Sequence, residues 1–301
     1  MELHFISKKI VNMRIACYAE EKCKGGYSVP HIFSYRDAEL YSHHTIDPAP
    51  RPEDFAMHAH ERMEIFVFLS GKGSYLVEGT QYPLEPNDIL ILRAAETHTL
   101  TISPDEPYER IAMHFSPSIL DGVDPEHRLL RPFLDRPLGQ WNHYPGTDER
   151  SERLRAAFDR FTFDGVPDVR LNLMARLLLF LTNLDGIYDP GGLRHAPAEG
   201  LQSQLVAYVN EHLFDTISLQ SVADRFYRSR SQISRIFQQA TGSPLWEYVS
   251  IKRLLAARAM IQRGESAGAA CIACGFSDYS SFFRAYRAHF GHAPREDAPQ
   301  K

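Results

Sequence analysis

Ile217-Ser-Leu-Gln-Ser-Val-Ala-Asp-Arg-Phe-Tyr-Arg-Ser-Arg-Ser-Gln-Ile-Ser-Arg-Ile-Phe-Gln-Gln-Ala-Thr-Gly242 decides the fold of the last third of the chain. Ser218 stands where a helix N-cap belongs, ahead of Leu219, Val222, Ala223 and Phe226 at helical spacing. A short turn follows, and Ser229 can cap a second helix. That helix carries Ile233, Ile236, Phe237 and Ala240 on one face. Ser231, Ser234, Arg235 and Gln238 fall on the other. One face suits a core and the other offers polar groups, which is the pattern of a recognition helix in a helix-turn-helix unit. Gly242 and Pro244 end it.

The pattern repeats downstream. A long helix is expected from about Pro244 to Gln262, ending at Arg263-Gly264. Ser266–Cys274, a turn at Gly275 and Asp278–Phe290 then read as helix, turn, helix. Phe276, Phe282, Phe283 and Tyr286 supply apolar contacts, while Tyr279, Ser280, Ser281, Arg284 and Arg287 cluster opposite. Breaks at Asp215-Thr216, Tyr227-Arg228, Gly242, Gly264 and Gly275 divide residues 201–291 into about seven helical segments.

The ordered set of motifs resembles the AraC/XylS family of bacterial transcription regulators. It comprises Ser-Leu-Gln-Ser-Val-Ala (218–223), Ser-Gln-Ile-Ser-Arg-Ile-Phe (231–237), Thr241-Gly242, Lys-Arg-Leu-Leu-Ala-Ala (252–257), Gly-Phe-Ser-Asp (275–278), Ser-Phe-Phe-Arg (281–284), Gly291 and Pro294. The resemblance implies two helix-turn-helix units joined by the long helix, each presenting a helix to the major groove. Successive grooves lie about 34 Å apart. It implies Ser231, Ser234, Arg235 and Gln238 as contacts of the first unit and Tyr279, Ser280, Ser281, Arg284 and Arg287 as contacts of the second. Arg235 and Arg284 are the expected guanine readers, because a guanidinium can bond both O6 and N7. The chain departs from the family in two places. Ala267, Ala269, Ala270 and Ala273 stand where isoleucines usually pack, and Arg295-Glu-Asp follows Pro294. A looser second unit is expected for that reason.

Charge distribution agrees. The formal net charge is −5. From Leu201 onward there are 12 Lys/Arg against 8 Asp/Glu, leaving 21 basic against 30 acidic groups before it. A basic third on an acidic body fits a DNA-binding module attached to something else. The four cysteines, Cys17, Cys23, Cys271 and Cys274, include one CxxC pair inside a helical pattern with no second pair to complete a zinc site. Buried thiols are expected. Met1–Lys9 has no apolar signal-peptide region, and no apolar run is long enough to span a bilayer. A cytoplasmic location without membrane contact is the expectation.

Residues 55–115 read as short strands. Ile65–Leu69, Tyr75–Val77 and Ile89–Leu92 are separated by turns at Gly71-Lys-Gly73, Glu78-Gly79-Thr80 and Pro86-Asn87-Asp88. Such spacing suggests a barrel or sandwich. Within His58-Ala-His60-Glu-Arg-Met-Glu64, alternation on an unbroken strand would put His58, His60, Arg62 and Glu64 on one face, and His98 falls near a later strand. With Gly71 and Pro86-Asn87-Asp88, this resembles the cupin signature, although the glycine usual before HxH is absent. Three uses of His58, His60, Glu64 and His98 stay open: lining an effector pocket, holding a divalent metal, or structural hydrogen bonding. Phe66, Phe68, Tyr75, Tyr82 and Trp141 could stack on a sugar. His43-His44 reads as a solvated or turn pair.

Residues 149–164 and 168–187 read as helices. Leu171, Met174, Leu177, Leu178, Leu181 and Leu184 form a stripe that could pack on the barrel, on a second copy, or on both. The Pro- and Gly-rich residues 189–200 read as a linker.

The expected architecture is therefore α+β. A cupin-like jelly-roll barrel (1–148) is followed by a helical dimerisation or packing segment (149–188), the linker (189–200) and an all-α double helix-turn-helix domain (201–301). The expected function is a sequence-specific transcription regulator, not an enzyme. Its expected partners are double-stranded DNA, a small-molecule effector such as a sugar, RNA polymerase and a second copy of the chain. The rivals are a metal-dependent cupin enzyme with a DNA-binding tail and a ligand-independent regulator whose barrel only dimerises.

Overall fold

The computed structural model describes residues 31–163, 165–189 and 200–299. Among the described residues nine strands come first: β1 (His31–Arg36), β2 (Leu40–Asp47), β3 (Met63–Ser70), β4 (Gly73–Val77), β5 (Thr80–Leu84), β6 (Ile89–Leu92), β7 (His98–Ile102), β8 (Tyr108–Phe115) and β9 (His143–Tyr144). They form an antiparallel six-stranded sheet in the order β1-β2-β8-β3-β6-β9 and a three-stranded sheet in the order β5-β4-β7. The strands and turns expected between 65 and 92 are present.

Period-two alternation sorts the side chains of this barrel. Phe66 and Phe68 of β3, Leu90 and Leu92 of β6, and Tyr108 of β8 meet Tyr75, Val77, Leu100 and Ile102 of the small sheet inside it. Met63, Ile65, Val67, Ile111, Met113 and Phe115 face the other way. That outer face is covered by helices α1 (Arg131–Leu134), α2 (Glu149–Arg155) and α3 (Val169–Ile187), through Phe133, Leu154, Leu173, Leu177, Phe180, Leu181 and Leu184. Gly73 sits where the sheet closes tightly, since a Cβ there would lie 2.1 Å from the Thr101 carbonyl oxygen. Gly73→Ala is expected to cost about 1–3 kcal/mol by overpacking, read as a lower midpoint in urea.

The helical reading of 149–187 needs two corrections. The first helix ends at Arg155 with one 3-10 turn (Ala156–Phe158). Arg160 adopts a positive φ and turns Phe161 and Phe163 back onto Phe33 of β1. The buried stripe of α3 runs through Leu173, Leu177, Phe180, Leu181 and Leu184. Leu171 is 67% exposed and Leu179 44%, so the helix has a second, outward apolar line.

Six helices follow: α4 (Leu201–Glu211), α5 (Leu219–Arg225), α6 (Arg230–Thr241), α7 (Leu245–Gln262), α8 (Ala267–Ala273) and α9 (Tyr279–Phe290), then a 3-10 turn (Pro294–Asp297). Ser218 and Ser229 cap α5 and α6 in capping boxes, and Ser266 and Asp278 cap α8 and α9. Gly242 and Gly291 end α6 and α9 with left-handed backbone. Val222, Ala223, Ile233, Phe237 and Ala240 pack on Leu205, Val209, Tyr248 and Val249 in one core. Ala270, Cys271, Cys274, Phe282 and Tyr286 pack on Leu254, Ala257 and Ile261 in another. The alanine-rich α8 thus buries small side chains against α7, with both thiols inside. Arg253, buried at mid-α7, donates to the carbonyls of Leu213 and Asp215 on one side and Gly275 on the other. It fastens both helix-turn-helix units to the long helix. The expected linker falls largely on residues 190–199, outside those described. No helix among the described residues is long and apolar enough to cross a membrane.

Candidate functional site: a histidine-lined barrel interior and a polar helix face

The chain does not run as a regular strand through 58–62. His58 makes one isolated bridge to His98, residues 61–62 bend, and β3 begins only at Met63. Strict alternation therefore fails for Arg62, whose Nη2 donates to the Ala38 carbonyl at 2.7 Å. His58, His60, Glu64 and His98 do come together. The His60 Nε2 lies 2.8 Å from Glu64 Oε2, and the His98 Nε2 3.5 Å from the same oxygen. The rings of His58 and His98 are 4.2 Å apart, centroid to centroid. His98 is 1% exposed and Glu64 4%.

The sequence reading missed His114. It follows Tyr108, Arg110 and Ala112 on the inner face of β8 and pairs across the sheet with Glu64. Its Nδ1 lies 3.8 Å from Glu64 Oε2, and its ring is 5.0 Å from that of His60. Alternation along Tyr108–Phe115 could have placed it there once β8 was recognised. Burial pushes the imidazoles of His98 and His114 well below their ordinary pKa, and the neighbouring histidines push them further down. Both rings are therefore neutral near pH 7. Two sets of donor atoms lie within 4.8 Å of one another, His58/His60/His98 and His60/Glu64/His114.

His43-His44 is not a turn pair. Both residues lie in β2, with His43 buried against Tyr41 and His114 and His44 bonded to Glu109 at 2.7 Å. Strand alternation splits the two rings between faces. Of the aromatic candidates, Phe66, Phe68 and Tyr75 line the interior, Tyr75 next to His98. Tyr82 packs at its edge with its hydroxyl on the Gly139 carbonyl. Trp141, on a backbone of positive φ, is 45% exposed.

On α6, Ser231, Arg235 and Gln238 are exposed and Ser234 half-buried; together with Gln239 they line one open depression. The opposite face holds Ile233 and Phe237, both fully buried, so the polar face cannot rotate inward without emptying the core. On α9, Tyr279, Ser280, Ser281, Arg284 and Arg287 are exposed while Phe282 and Tyr286 are buried. Arg284 reaches back to Ser281 Oγ at 3.2 Å.

Sequence reasoning also missed how barrel and helices meet. Glu78 and Gly79 both take positive φ in the two-residue turn between β4 and β5. The turn pushes into the helical unit, so that a Cβ on Gly79 would lie 3.2 Å from Val206 and 3.7 Å from Ala240. Glu78 Oε1 pairs with Lys252 Nζ of α7 at 2.6 Å, and Glu78 Oε2 accepts from the Tyr248 hydroxyl and from Asn210. Burial, reinforced by the Glu78 carboxylate, holds the Tyr248 phenol well above its ordinary pKa. The Thr97 amide, beside His98, donates to Glu78 at 2.6 Å. A second contact joins Glu61, beside His60, to Arg258 of α7 at 3.3 Å, and Arg258 also binds Asp297 at 3.0 Å.

Two family models match this arrangement. One, described as an AraC-like ligand binding domain, matches residues 49–181; the other, a helix-turn-helix domain, matches residues 222–298. The chain belongs to the AraC family of transcription regulators. Among curated relatives of this AraC-type regulator is the HTH-type transcriptional activator RhaS of Escherichia fergusonii. It is 23% identical over 83% of this chain and 90% of its own length. RhaS of Shigella sonnei is 25% identical over the same shares. Among solved structures, ToxT from Vibrio cholerae O395 is 13% identical, with a TM-score of 0.35 over 86% of this chain and 97% of its own. The regulator thus combines an antiparallel ligand-binding barrel with a DNA-binding helical unit, and its activity is transcription regulation.

Proposed function

We propose that this regulator reads DNA through the exposed faces of α6 and α9 and that a small molecule held in the barrel sets how it does so. The observation that carries this reading is the polar face of α6, locked outward by Ile233 and Phe237. Ser231, Ser234, Arg235 and Gln238 are its base and phosphate contacts. Tyr279, Ser280, Ser281, Arg284 and Arg287 serve the neighbouring groove.

His58, His60, Glu64 and His98 form the polar end of the effector pocket. Phe66, Phe68 and Tyr75 supply apolar and stacking surface, which suits a carbohydrate. His60 and His98 each stand one residue from a side chain or amide that contacts the α7 interface, through Glu61–Arg258 and through Thr97–Glu78–Lys252. An effector that binds better when those contacts are rearranged shifts the helical unit with it. The outward line Leu171, Ala175, Leu179 and Thr182 of α3 pairs two copies, and linking two binding events raises operator affinity. The regulator acts in the cytoplasm as an activator that engages RNA polymerase, and it performs no catalysis.

Arg235→Ala is expected to weaken operator binding by about 1–3 kcal/mol and to relax preference at one base position. An affinity series at fixed salt on operator variants measures this. A uniform loss across all sequences would instead make Arg235 a phosphate contact. For the effector, a sugar at 100 times its Kd should stabilise the folded chain by about 2.7 kcal/mol. A sugar panel in which none raises the melting temperature or changes operator affinity would overturn the carbohydrate reading.

A further inference from the structure

Each helix-turn-helix unit closes its first helix in the same way. After α5 the Tyr227 amide donates to the Asp224 carbonyl at 3.3 Å and the Arg228 amide to the Ala223 carbonyl at 3.0 Å. After α8 the Gly275 amide donates to the Ile272 carbonyl at 3.0 Å and the Phe276 amide to the Cys271 carbonyl at 3.1 Å. This pairing needs a left-handed residue just beyond the helix cap. Gly275 supplies it with a φ of 75° and Tyr227 with a φ of 52°. Glycine takes that conformation at no steric cost, whereas a bulky side chain is strained in it.

Nothing inside the fold accounts for a tyrosine in this place. Its side chain is 88% exposed, and among the described residues no hydrogen bond or ring contact holds it. Strain of this kind gathers at functional sites. The surrounding charge says what such a site faces. Residues 225–246 contain Arg225, Arg228, Arg230 and Arg235 and no Asp or Glu. Arg225 lies over the Tyr208 ring. Arg228 and Arg230 are exposed, and neither meets a carboxylate among the described residues. A surface of one sign draws a partner of the other, here a polyanion.

The turn also stands where phosphates pass. In a helix-turn-helix unit the first helix crosses the DNA backbone and the N-terminal residues of the second read base edges. The turn between them therefore lies on the rim of the groove. We propose that Tyr227, Arg228 and Arg230 clamp the phosphate strand at that rim. The Tyr227 hydroxyl donates to a phosphate oxygen, and the two guanidiniums neutralise the phosphates beside it. Such a contact fixes where α6 enters the groove and carries no sequence information of its own. Gly275 gives the second unit no counterpart to the tyrosine. The proposal rests on α6 being the DNA-reading helix.

The test is fluorescence anisotropy of the full-length chain on two labelled duplexes over a series of salt concentrations. One duplex is recovered by capture on the wild-type chain, and the other is its scrambled sequence. Tyr227→Phe keeps the ring and the backbone but lacks the donor, and should weaken binding about tenfold on both duplexes. Tyr227→Gly should weaken binding at least as much while its midpoint in urea stays level or rises, because the strain is gone. A residue that served only the fold could not show that pair of signs. Arg228→Ala and Arg230→Ala should each lower the slope of log affinity against log salt by about one. Arg150→Ala, exposed on the barrel side, should change neither affinity nor slope. A wild type that binds neither duplex overturns the reading of α6 and this proposal with it. A wild type that binds, with Tyr227 variants of equal affinity and arginine variants of equal slope, overturns this proposal alone. Loss of transcription in those variants without loss of DNA affinity would do the same, and would assign the turn to a protein partner.

Discussion

Lys252→Ala is expected to destabilise the chain by about 3–5 kcal/mol, since it leaves the buried Glu78 carboxylate without its cation. The Glu78 side chain is 0% exposed and that of Lys252 4%, so water does not take over the lost interaction. Tyr248 and Asn210 would still donate to Glu78, which keeps the cost below that of a bare charge. Replacing both partners together, as Glu78→Gln with Lys252→Met, should recover most of the loss, because the desolvation of two charges disappears with them. Denaturant unfolding of wild type, Glu78→Gln, Lys252→Met and the double variant measures the coupling directly. Coupling near zero would mean that barrel and helical unit are held together elsewhere, and the route from His98 to α7 would lose its basis.

The second large effect lies behind His98. Glu96 is fully buried and receives Arg136 at 2.7 and 2.5 Å, Asn142 at 3.0 Å and the amides of Gly139 and Arg93 at 2.9 and 3.1 Å. Burial alone would raise its pKa, but the Arg136 guanidinium and the backbone donors outweigh it and hold the carboxyl below its ordinary range. Arg136→Ala should cost about 3–5 kcal/mol. Arg136→Lys should recover little of it, because an ammonium cannot span two carboxylate oxygens as the guanidinium fork does. The Glu96 carbonyl orients His98, so ligand binding in the barrel should weaken as well. A lysine variant of full stability would show that charge, not fork geometry, holds this corner.

The legibility of this protein in its sequence was uneven for physical reasons. Ser218, Ser229, Gly242 and Gly291 mark helix ends through local hydrogen bonding and backbone conformation, and local signals survive folding. The turn at Glu78-Gly79 was legible for the same reason. Its role was not, because Glu78 and Tyr248 meet across 170 positions and no periodicity carries that information. His58 and His60 were found by an alternation that the chain does not follow there. They join Glu64 and His98 through the His58–His98 bridge and a bend at 61–62. His43 was misread as part of a solvated or turn pair, and His114 was missed, because β2 and β8 gain their meaning only by pairing with each other and with β3. Leu171 misled because a stripe read at three- and four-residue spacing cannot say which of two adjacent lines on α3 meets the barrel.

The central claim, a sequence-specific regulator reading DNA through α6, is tested most directly by genome-wide capture of DNA fragments on the purified chain. Wild type and Arg235→Ala are compared at one fixed salt concentration, since phosphate contacts make affinity steeply salt-dependent. The account predicts a sharp motif for wild type, with half-sites spaced by about one helical turn, that weakens or loses one position in the variant. Enrichment no sharper than background for wild type, or an identical motif in both proteins, would contradict it.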